Sequence, residues 1–385
     1  MITILAHLTL LLAIAYGAII VVFVISLCFP HHPRSLSQPP VSVVIAARNE
    51  EENIGALLQD LAAQDYPVDR YEVIIANDNS TDATAAIVAG YSAHYPFIKL
   101  INITATPADF SPKKYALQCA VDRANGDIIL ATDADCRVGR RWISTMTAYM
   151  DEDTGFVIGF SQFGRRGQAQ PFVQRFQAFD FVTLMGVAAA ATHLRLPMAA
   201  SGQNLGYRKA AFVAVNGYHP VKQRLSGDDV LLMQMIRKHT RYRIVYASHP
   251  DAHAVSAPQP TWGSFINQRN RWASNGGYQV RLNLTFFAYL ILTFSFNVLL
   301  LLGLPWALYV HQHTLLFAWC LAGKACSEGA IAIAAARFFH REDLLKYFPG
   351  WFALQIPYVV LVGVLGSMGL FRWKGRTGGT RVNKQ

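Results

Sequence analysis

Residues 127 to 137 read Asp-Ile-Ile-Leu-Ala-Thr-Asp-Ala-Asp-Cys-Arg, a short β-forming apolar run that stops at two aspartates. Side chains alternate along an extended chain, so Asp133 and Asp135 are expected on one side, two residues apart. Paired carboxylates at the end of a buried strand are suitable oxygen ligands for Mg²⁺ or Mn²⁺. A plain turn is the alternative, because aspartate is also a common turn residue.

The segments on both sides of this run alternate between strand-like and helix-like patterns. Such alternation predicts an α/β fold with a mainly parallel sheet and helices on both faces. The predicted strands are 41–47, 71–76, 98–103, 128–131, 156–160 and 243–246, and the predicted helices are 50–64, 112–124 and 230–238.

The composition points to a membrane protein with an anionic partner. Of 385 residues, 52% are hydrophobic and only 15% are charged, whereas soluble domains are about a quarter charged. The net charge of +10 suits lipid head groups or anionic substrates. No zinc-finger spacing, RNP motif or Lys/Arg tract is present, so we expect no nucleic acid partner. The five scattered cysteines form no C-x-x-C motif, which indicates neither a disulfide framework nor a zinc site.

Hydrophobic segments divide the chain into five regions. Residues 1–30 are predicted to be a retained transmembrane anchor, because about 20 apolar residues span a bilayer. Its N-terminus is expected outside, because the first basic residue, Arg34, follows the apolar run. A Pro-rich linker, 31–40, and a cytoplasmic catalytic domain, 41–281, follow. Residues 282–371 form a C-terminal membrane region of two to three hydrophobic helices, and 372–385 are a basic tail.

Two features of the C-terminal membrane region leave alternatives open. Lys324 and Glu328 lie four residues apart in a hydrophobic segment, where they could pair with each other or contact a lipid head group or the acceptor. Four full spans would leave the basic tail outside, against the positive-inside rule. The last segment contains Pro357, Gly363, Gly366 and Gly369, which make it a candidate for a re-entrant or interfacial helix and favour a cytoplasmic tail.

Polar clusters follow the predicted strands, at the edge of a parallel sheet where ligands bind. Arg48-Asn49-Glu50 follows the first strand and Asp78 the second, while Asp133 and Asp135 follow the fourth. Lys113 opens a helix, where its charge and the helix N-terminus would complement a diphosphate. The alternatives are ordinary turn chemistry for the acids and a solvated basic pair for Lys113-Lys114.

Three further clusters lie nearer the C-terminus. Ser201-Gly202-Gln203-Asn204 is a polar turn, and Asp228-Asp229 precedes a helix. Adjacent aspartates repel each other, which can raise one pKa toward use as a general base, although an acid in this position is often only a helix cap. In Gln268-Arg269-Asn270-Arg271-Trp272, the first, fourth and fifth residues share one helix face. Plain anchoring at the membrane interface is the alternative there.

Taken in order, these motifs resemble the family 2 glycosyltransferases, in particular the membrane-integrated branch with cellulose, hyaluronan and poly-N-acetylglucosamine synthases and ceramide glucosyltransferases. The resemblance covers about residues 41–281. It implies a GT-A fold and inverting transfer from a nucleotide-diphosphate sugar, usually a UDP-sugar, with Mn²⁺ or Mg²⁺ as cofactor. The motifs that carry it are Arg48-Asn49-Glu50, Asn77 to Asp82, Thr132 to Asp135, Gly227-Asp228-Asp229 and Gln268 to Trp272.

The resemblance also implies roles for individual residues. Asp229 would be the catalytic base with Asp228 beside it, and Asp135 would ligate the metal. The nucleotide-sugar contacts would be Arg48, Glu50, Asp78, Lys113 and Asp133. The contacts to the acceptor or the diphosphate would be Asn204, Gln268, Arg271 and Trp272. The chain departs from the family at Asn77 and at Asp228, where the family often has Asp and Glu.

The acceptor is expected to be a lipid or a growing glycan. Only three or four hydrophobic segments are present, with few polar residues to line a polymer channel. This favours a lipid-linked acceptor, or a processive polysaccharide synthase that depends on partner subunits or oligomerisation. A non-catalytic nucleotide-sugar-binding scaffold and a transporter are the alternatives from other classes. We expect a multi-pass protein of the cytoplasmic (inner) membrane with its catalytic domain facing the cytoplasm.

Overall fold

A computed structural model describes residues 2–35, 37–164, 167, 170–373 and 376–377. The chain forms two compact units. Among the described residues, the helical unit comprises 2–30, 167, 170–196, 258–373 and 376–377, and the sheet unit comprises 31–35, 37–164 and 197–257.

A seven-stranded sheet forms the centre of the sheet unit, in the order β3-β2-β1-β4-β8-β6-β9. Its pairings are parallel except those of β8, which runs antiparallel to β4 and β6. β5, β10 and β7 form a second, three-stranded sheet. The strands are β1 Val41–Ala47, β2 Tyr71–Asp78, β3 Ile98–Ile103, β4 Ile128–Ala131, β5 Cys136–Val138, β6 Thr154–Gly159, β7 Ser161–Phe163, β8 Leu205–Arg208, β9 Arg243–Ala247 and β10 Ala254–Ser256. The predicted mainly parallel α/β fold is therefore confirmed.

The central strands are mostly apolar because helices cover both faces of the sheet. β1 and β4 bury nearly every residue, and the core includes Val43, Ile45 and Leu130 at 0% exposure. In the parallel pair of β1 and β2, Ala47 is opposite Asn77. The residues that follow these two strands therefore leave the sheet at the same edge.

The described helices are α1 Ile2–Leu27, α2 Ile54–Ala62, α3 Thr84–His94, α4 Pro112–Arg123, α5 Trp142–Thr147, α6 Phe172–His193, α7 Lys209–Ala214, α8 Val230–His239, α9 Trp262–Ala273, α10 Gln279–Leu282, α11 Leu284–Tyr309, α12 Thr314–Phe338 and α13 Phe348–Ser367. The strand pair β11 Arg372–Trp373 and β12 Arg376–Thr377 follows. α2 begins four residues later than predicted, because Glu50 to Asn53 form a turn in which the Asn53 amide donates to the Glu50 carbonyl.

Within the described residues, four helices are long and apolar enough to cross a membrane: Ile2–Leu27, Leu284–Tyr309, Thr314–Phe338 and Glu342–Ser367. The last contains Pro357 inside α13, which is nevertheless one uninterrupted helix. Whether this helix spans the bilayer or re-enters it stays a prediction. Most of the basic tail, 374–375 and 378–385, lies outside the described residues.

The two charged residues of α12 pair with each other, as one of the two alternatives proposed. Lys324 Nζ lies 2.5 Å from Glu328 Oε1, and the Tyr16 hydroxyl donates to the same oxygen at 2.6 Å. Gln355 Nε2 is 3.4 Å from it. The buried pair therefore links α1, α12 and α13 through hydrogen bonds.

One helix of the helical unit, α6, was not predicted from the sequence. It is apolar on most of its surface and packs against α1 and α12. At Gly186 an added Cβ would lie 2.3 Å from the Cβ of Ala335, so the two helices approach as closely as glycine allows. Residues 170–196 and 258–281, which lie within the predicted domain 41–281, belong to the helical unit, and the bounds of the catalytic domain stay a prediction.

Candidate active site

The ends of β1 and β2 form one side of the site. Arg48 Nη1 lies 3.6 Å from Asp78 Oδ2, and Asp78 is buried. Asn49 has a left-handed backbone, with φ of 53°. Its amide donates to Ser80 Oγ at 3.0 Å, and the next amide, of Glu50, donates to Thr84 Oγ1 at 2.8 Å. These bonds fix the loop that carries Arg48 and Glu50 beside the end of β2.

Asn77, which departs from the family motif, has a structural role. Its Nδ2 donates to Asn102 Oδ1 at 2.9 Å, and its Oδ1 accepts from the Ser80 amide at 3.2 Å. An amide side chain supplies both the donor and the acceptor of this arrangement, whereas an ionised carboxylate supplies only acceptors.

Asp133 and Asp135 lie in a turn, which corrects the prediction that strand alternation brings them together. β4 ends at Ala131, and the Cys136 amide donates to the Asp133 carbonyl at 3.1 Å. Thr132 Oγ1 donates to the Gln203 carbonyl at 2.8 Å. The turn between β4 and β5 therefore sets the spacing of the two carboxylates.

The electrostatics of this turn are suitable for a divalent cation. Burial, together with the negative charges of Asp133 and Glu50, raises the pKa of Asp135 to about 6, although Lys113 lowers it. Carboxylates that repel each other out of water are relieved by a hard cation. In the part of the chain that the structure describes, no group of three or more His, Cys, Asp or Glu side chains forms a ready-made metal site. The carboxylate oxygens of Asp133 and Asp135 are the kind of donor that a hard divalent cation prefers.

Lys113, at the start of α4, connects the two acidic motifs. Its Nζ lies 2.8 Å from Asp133 Oδ1 and 2.8 Å from Asp228 Oδ2. Burial alone would lower the pKa of this lysine, but the charges and hydrogen bonds of the two aspartates raise it well above its usual range. Lys113 is therefore a permanent cation between the β4 turn and the start of α8.

Asp229 is the N-cap of α8, as the alternative reading of the sequence also allowed. Its Oδ1 accepts from the Val230 amide at 2.6 Å, and its Oδ2 accepts from the Gly202 amide at 2.9 Å. Burial and the charge of Asp228 nevertheless raise the pKa of Asp229 to about 6, although these amides and Lys113 lower it. The carboxylate is thus held in one orientation and is more basic than an ordinary aspartate.

Gly202 is a residue of the site that the sequence interpretation missed. An added Cβ would lie 3.1 Å from Asp228 Oδ2 and 3.5 Å from Lys113 Nζ. The absence of a side chain allows the backbone to come close enough for its amide to bind Asp229. The only sequence signal was its place in the polar turn 201–204.

Asn204 requires a correction. It is 0% exposed, and its Oδ1 accepts from Trp142 Nε1 at 3.0 Å. Its Nδ2 donates to the carbonyls of Phe160 and Ala252 at 2.8 and 2.7 Å. The amide is fully used in holding three segments of the sheet unit together, so we leave Asn204 out of the acceptor site.

In the helical unit, α9 carries Gln268, Arg271 and Trp272, all half-buried. The helix begins with a capping box between Thr261 and Ser264. These three residues share the predicted helix, and their role toward an acceptor stays a prediction.

A buried ion pair holds α9 in place. Arg269 Nη2 lies 2.7 Å from Asp180 Oδ2, and the Arg269 guanidinium carbon is 4.2 Å from the centre of the Trp272 ring. Asp180 Oδ1 accepts from Trp351 Nε1 at 3.0 Å. Asp180 was missed from the sequence, although a lone acid in a long apolar stretch is a signal for a buried partner.

Comparisons with known proteins agree with this description. Residues 5–366 match the family model for glycosyl transferase family 21. Probable glycosyltransferase YdaM of Bacillus subtilis is 30% identical over 247 residues, which are 63% of this chain and 56% of YdaM. A Beta-monoglucosyldiacylglycerol synthase of Synechocystis sp. is also 30% identical over 247 residues, 63% of this chain and 48% of the synthase. The chain thus spans about half the length of these curated relatives.

A solved structure shares the fold over nearly the whole chain. Mannosyltransferase PcManGT from Pyrobaculum calidifontis, in complex with GDP-Man and Mn²⁺, superposes with a TM-score of 0.61 and 20% sequence identity. The match covers 94% of this chain and 98% of that one. It confirms the predicted GT-A type of fold, and four described helices are apolar enough to span a membrane.

Proposed function

The chain belongs to glycosyl transferase family 21, and on this premise we propose that it moves a sugar, with inversion, from a nucleotide-diphosphate sugar to a hydroxyl of a lipid or glycan. One observation carries the proposal. Lys113 lies within 2.8 Å of both Asp133 and Asp228, and Asp229 is oriented by the Gly202 amide beside them. A fixed cation, two acids for the donor and a basic carboxylate are the groups that this transfer needs.

Asp229 acts as the general base in the proposed reaction. A pKa of about 6 leaves it ionised at neutral pH and basic enough to accept a proton from a hydroxyl in the transition state. The acceptor oxygen gives this proton to Asp229 and forms the bond to the anomeric carbon. The bond from that carbon to the diphosphate breaks, and the nucleoside diphosphate leaves with the electron pair.

The donor is held by the edge of the sheet where β1, β2 and β4 end. Arg48, Glu50 and Asp78 contact the nucleotide, while Lys113 and Asp133 lie nearer its phosphates. Asp135 would hold Mn²⁺ or Mg²⁺, which when bound would supply positive charge at the diphosphate.

The polar residues of α9 would serve the acceptor side of the reaction. Arg271 adds a second positive charge at the diphosphate. Gln268 and Trp272 frame the acceptor. A divalent cation is consistent with the Mn²⁺ bound to the mannosyltransferase that shares the fold.

A lipid is the acceptor that we favour. The Synechocystis relative is a glucosyldiacylglycerol synthase by name. The Lys324–Glu328 pair is buried and satisfied by its own partners, so it does not line a wet pore. A processive polysaccharide synthase subunit, with the same chemistry and a polymer product formed with partner subunits or as an oligomer, is the second candidate.

We place the sheet unit at the cytoplasmic face of a multi-pass membrane protein. The short connection 310–313 between α11 and α12 carries no Lys or Arg, whereas the connection 339–347 between α12 and α13 carries Arg341 and Lys346. The positive-inside rule puts the second of these connections, together with the sheet unit, in the cytoplasm. A cytoplasmic tail then follows if α13 re-enters the membrane, and a reporter fused after Gln385 tests this.

Membranes that contain the full chain provide the test. They are incubated with labelled UDP-sugars and GDP-mannose, and lipid-soluble product is separated from polymer. We expect transfer from one donor, loss of activity in EDTA and recovery with Mn²⁺ or Mg²⁺. Asp229→Asn should abolish transfer while nucleotide binding remains, and Asp69→Asn, at an exposed position, is the matched control. Transfer by Asp229→Asn at the wild-type rate would remove Asp229 as the base.

A further inference from the structure

Lys114, the second residue of the Lys113-Lys114 pair, is buried away from the site and has no role in the reaction described above. It is 1% exposed. Its Nζ donates to the carbonyl of Arg224 at 2.5 Å and to the carbonyl of Ser226 at 2.8 Å. A lysine ammonium is seldom buried without an acidic partner in direct contact. Its placement against two backbone carbonyls therefore needs an explanation.

The two carbonyls belong to the segment that leads directly into the proposed base. Asp228 and Asp229 are the second and third residues after Ser226. Consecutive residues on a helix point about 100° apart. Lys113 accordingly contacts the carboxylates of the site, while Lys114 contacts the backbone that carries one of them.

The residues before α4 contact the same segment. The Ser111 amide donates to the Lys222 carbonyl at 2.6 Å, and Lys222 Nζ pairs with the Asp109 carboxylate. Residues 109–114 thus hold 222–226 by backbone, ion-pair and ammonium contacts. We name 222–229 the base loop.

We propose that Lys114 is a positioning residue that fixes the base loop, so that Asp229 keeps the orientation required to accept the proton. This inference rests on the proposed function, since it assigns Lys114 a role through Asp229. Burial and the charges around the base loop also affect the protonation of Lys114. Burial lowers the pKa of Lys114 to about 7, Asp228 and Asp229 raise it, and Arg224 and Lys113 lower it. The anchor is therefore poised between its charged and neutral forms at neutral pH.

Lys114→Met and Lys114→Gln test this role, with Lys209→Met as the matched control. Lys209 is half-buried, and its Nζ donates to the Ala124 carbonyl at 2.5 Å, so its loss removes the same kind of bond elsewhere in the sheet unit. We expect kcat to fall about tenfold in Lys114→Met, with donor KM changed by less than about twofold. Because glutamine keeps two N–H donors, the kcat of Lys114→Gln should lie between those of Lys114→Met and the wild type. Lys209→Met should leave kcat within about twofold.

Hydrogen exchange of the intact proteins supplies a measurement that is independent of activity. Amides of 227–230 should exchange about tenfold faster in Lys114→Met than in the wild type, and remain unchanged in Lys209→Met. If Lys114→Met does not fold, Lys114→Gln carries both measurements. The inference is overturned if a folded Lys114 variant keeps the wild-type kcat and the wild-type exchange rates. It is also overturned if Lys209→Met loses as much kcat as Lys114→Met. A wild-type chain that is inactive with every donor refutes the proposed function, and the exchange measurement then still decides whether Lys114 anchors the loop.

Discussion

The proposed base predicts an acid limb in the pH dependence of sugar transfer. Asp229 must be ionised to accept a proton, and its pKa lies at about 6. At pH 5 about one tenth of the molecules would carry the ionised form, so kcat/KM should fall about tenfold from its plateau. An aspartate with an ordinary pKa of about 3.9 would remain more than about 90% ionised at pH 5, and the profile would be nearly flat.

Two neighbours should move this limb in opposite directions. The charge of Asp228 raises the pKa of Asp229, and the charge of Lys113 lowers it. Asp228→Asn should therefore shift the limb to lower pH, and Lys113→Met should shift it to higher pH, whatever either change does to the plateau. The opposite signs matter because general damage to the site would not produce them.

The assay is the initial rate at subsaturating donor between pH 5 and 8, with metal kept in excess and the profile of each variant scaled to its own plateau. Free-enzyme ionisation controls kcat/KM, so subsaturating donor is the correct condition. A wild-type profile that stays flat to pH 5 would refute Asp229 as the titrating base. Shifts of the same sign in both variants would show that the limb belongs to another group.

Three further changes test individual contacts. Gly202→Ala places a methyl group against the Asp228 carboxylate and the Lys113 ammonium and should lower kcat about tenfold. The control Gly139→Ala should leave kcat unchanged, because nothing lies within 4 Å of the added Cβ. Equal kcat in the two variants would contradict a role of Gly202 in orienting Asp229. Asn204→Ala should lower the free energy of unfolding by roughly 3 kcal/mol without changing acceptor KM, and a raised KM at unchanged stability would restore Asn204 to the acceptor site. Asp180→Asn leaves Arg269 as a buried cation without its counter-charge and should destabilise the helical unit by about 3–5 kcal/mol in thermal unfolding, whereas an unchanged melting temperature would show that this pair is dispensable.

Three strands could be predicted from the sequence to the residue. β1, β3 and β4 have the predicted bounds, because each is rich in β-branched residues and is bounded by turn residues. β2 continues two residues beyond its predicted end. β8 was not predicted, since it has four residues and contains Gly206, which leaves too short a pattern for alternation. Its position between β4 and β6 comes from tertiary pairing.

The acids that Lys113 contacts, Asp133 and Asp228, were also singled out from the sequence, because their residue type suggests the chemistry; their roles stay predictions. The contributions of Gly202 and Lys114 could not be predicted. One acts through its backbone amide and the other on backbone carbonyls, and neither contact leaves a sequence pattern. Asn204 shows the converse. Its residue type and place in a polar turn suited a ligand contact, but three buried partners, distant in sequence, use its amide.

The charged residues of α6 would also affect how the proposed membrane protein is inserted during synthesis. With 22 residues, α6 is long enough to cross a bilayer, which takes about 20. A crossing would place Asp180, near the middle of the helix, in the hydrocarbon at a cost of about 2.5–3.5 kcal/mol, and Arg175 in its first turn would add to that cost. If α6 is instead released to the aqueous side, the number of crossings before α11 is unchanged. In the proposed arrangement, the aspartate that pairs with Arg269 would thus help to preserve the orientation of the membrane helices that follow it.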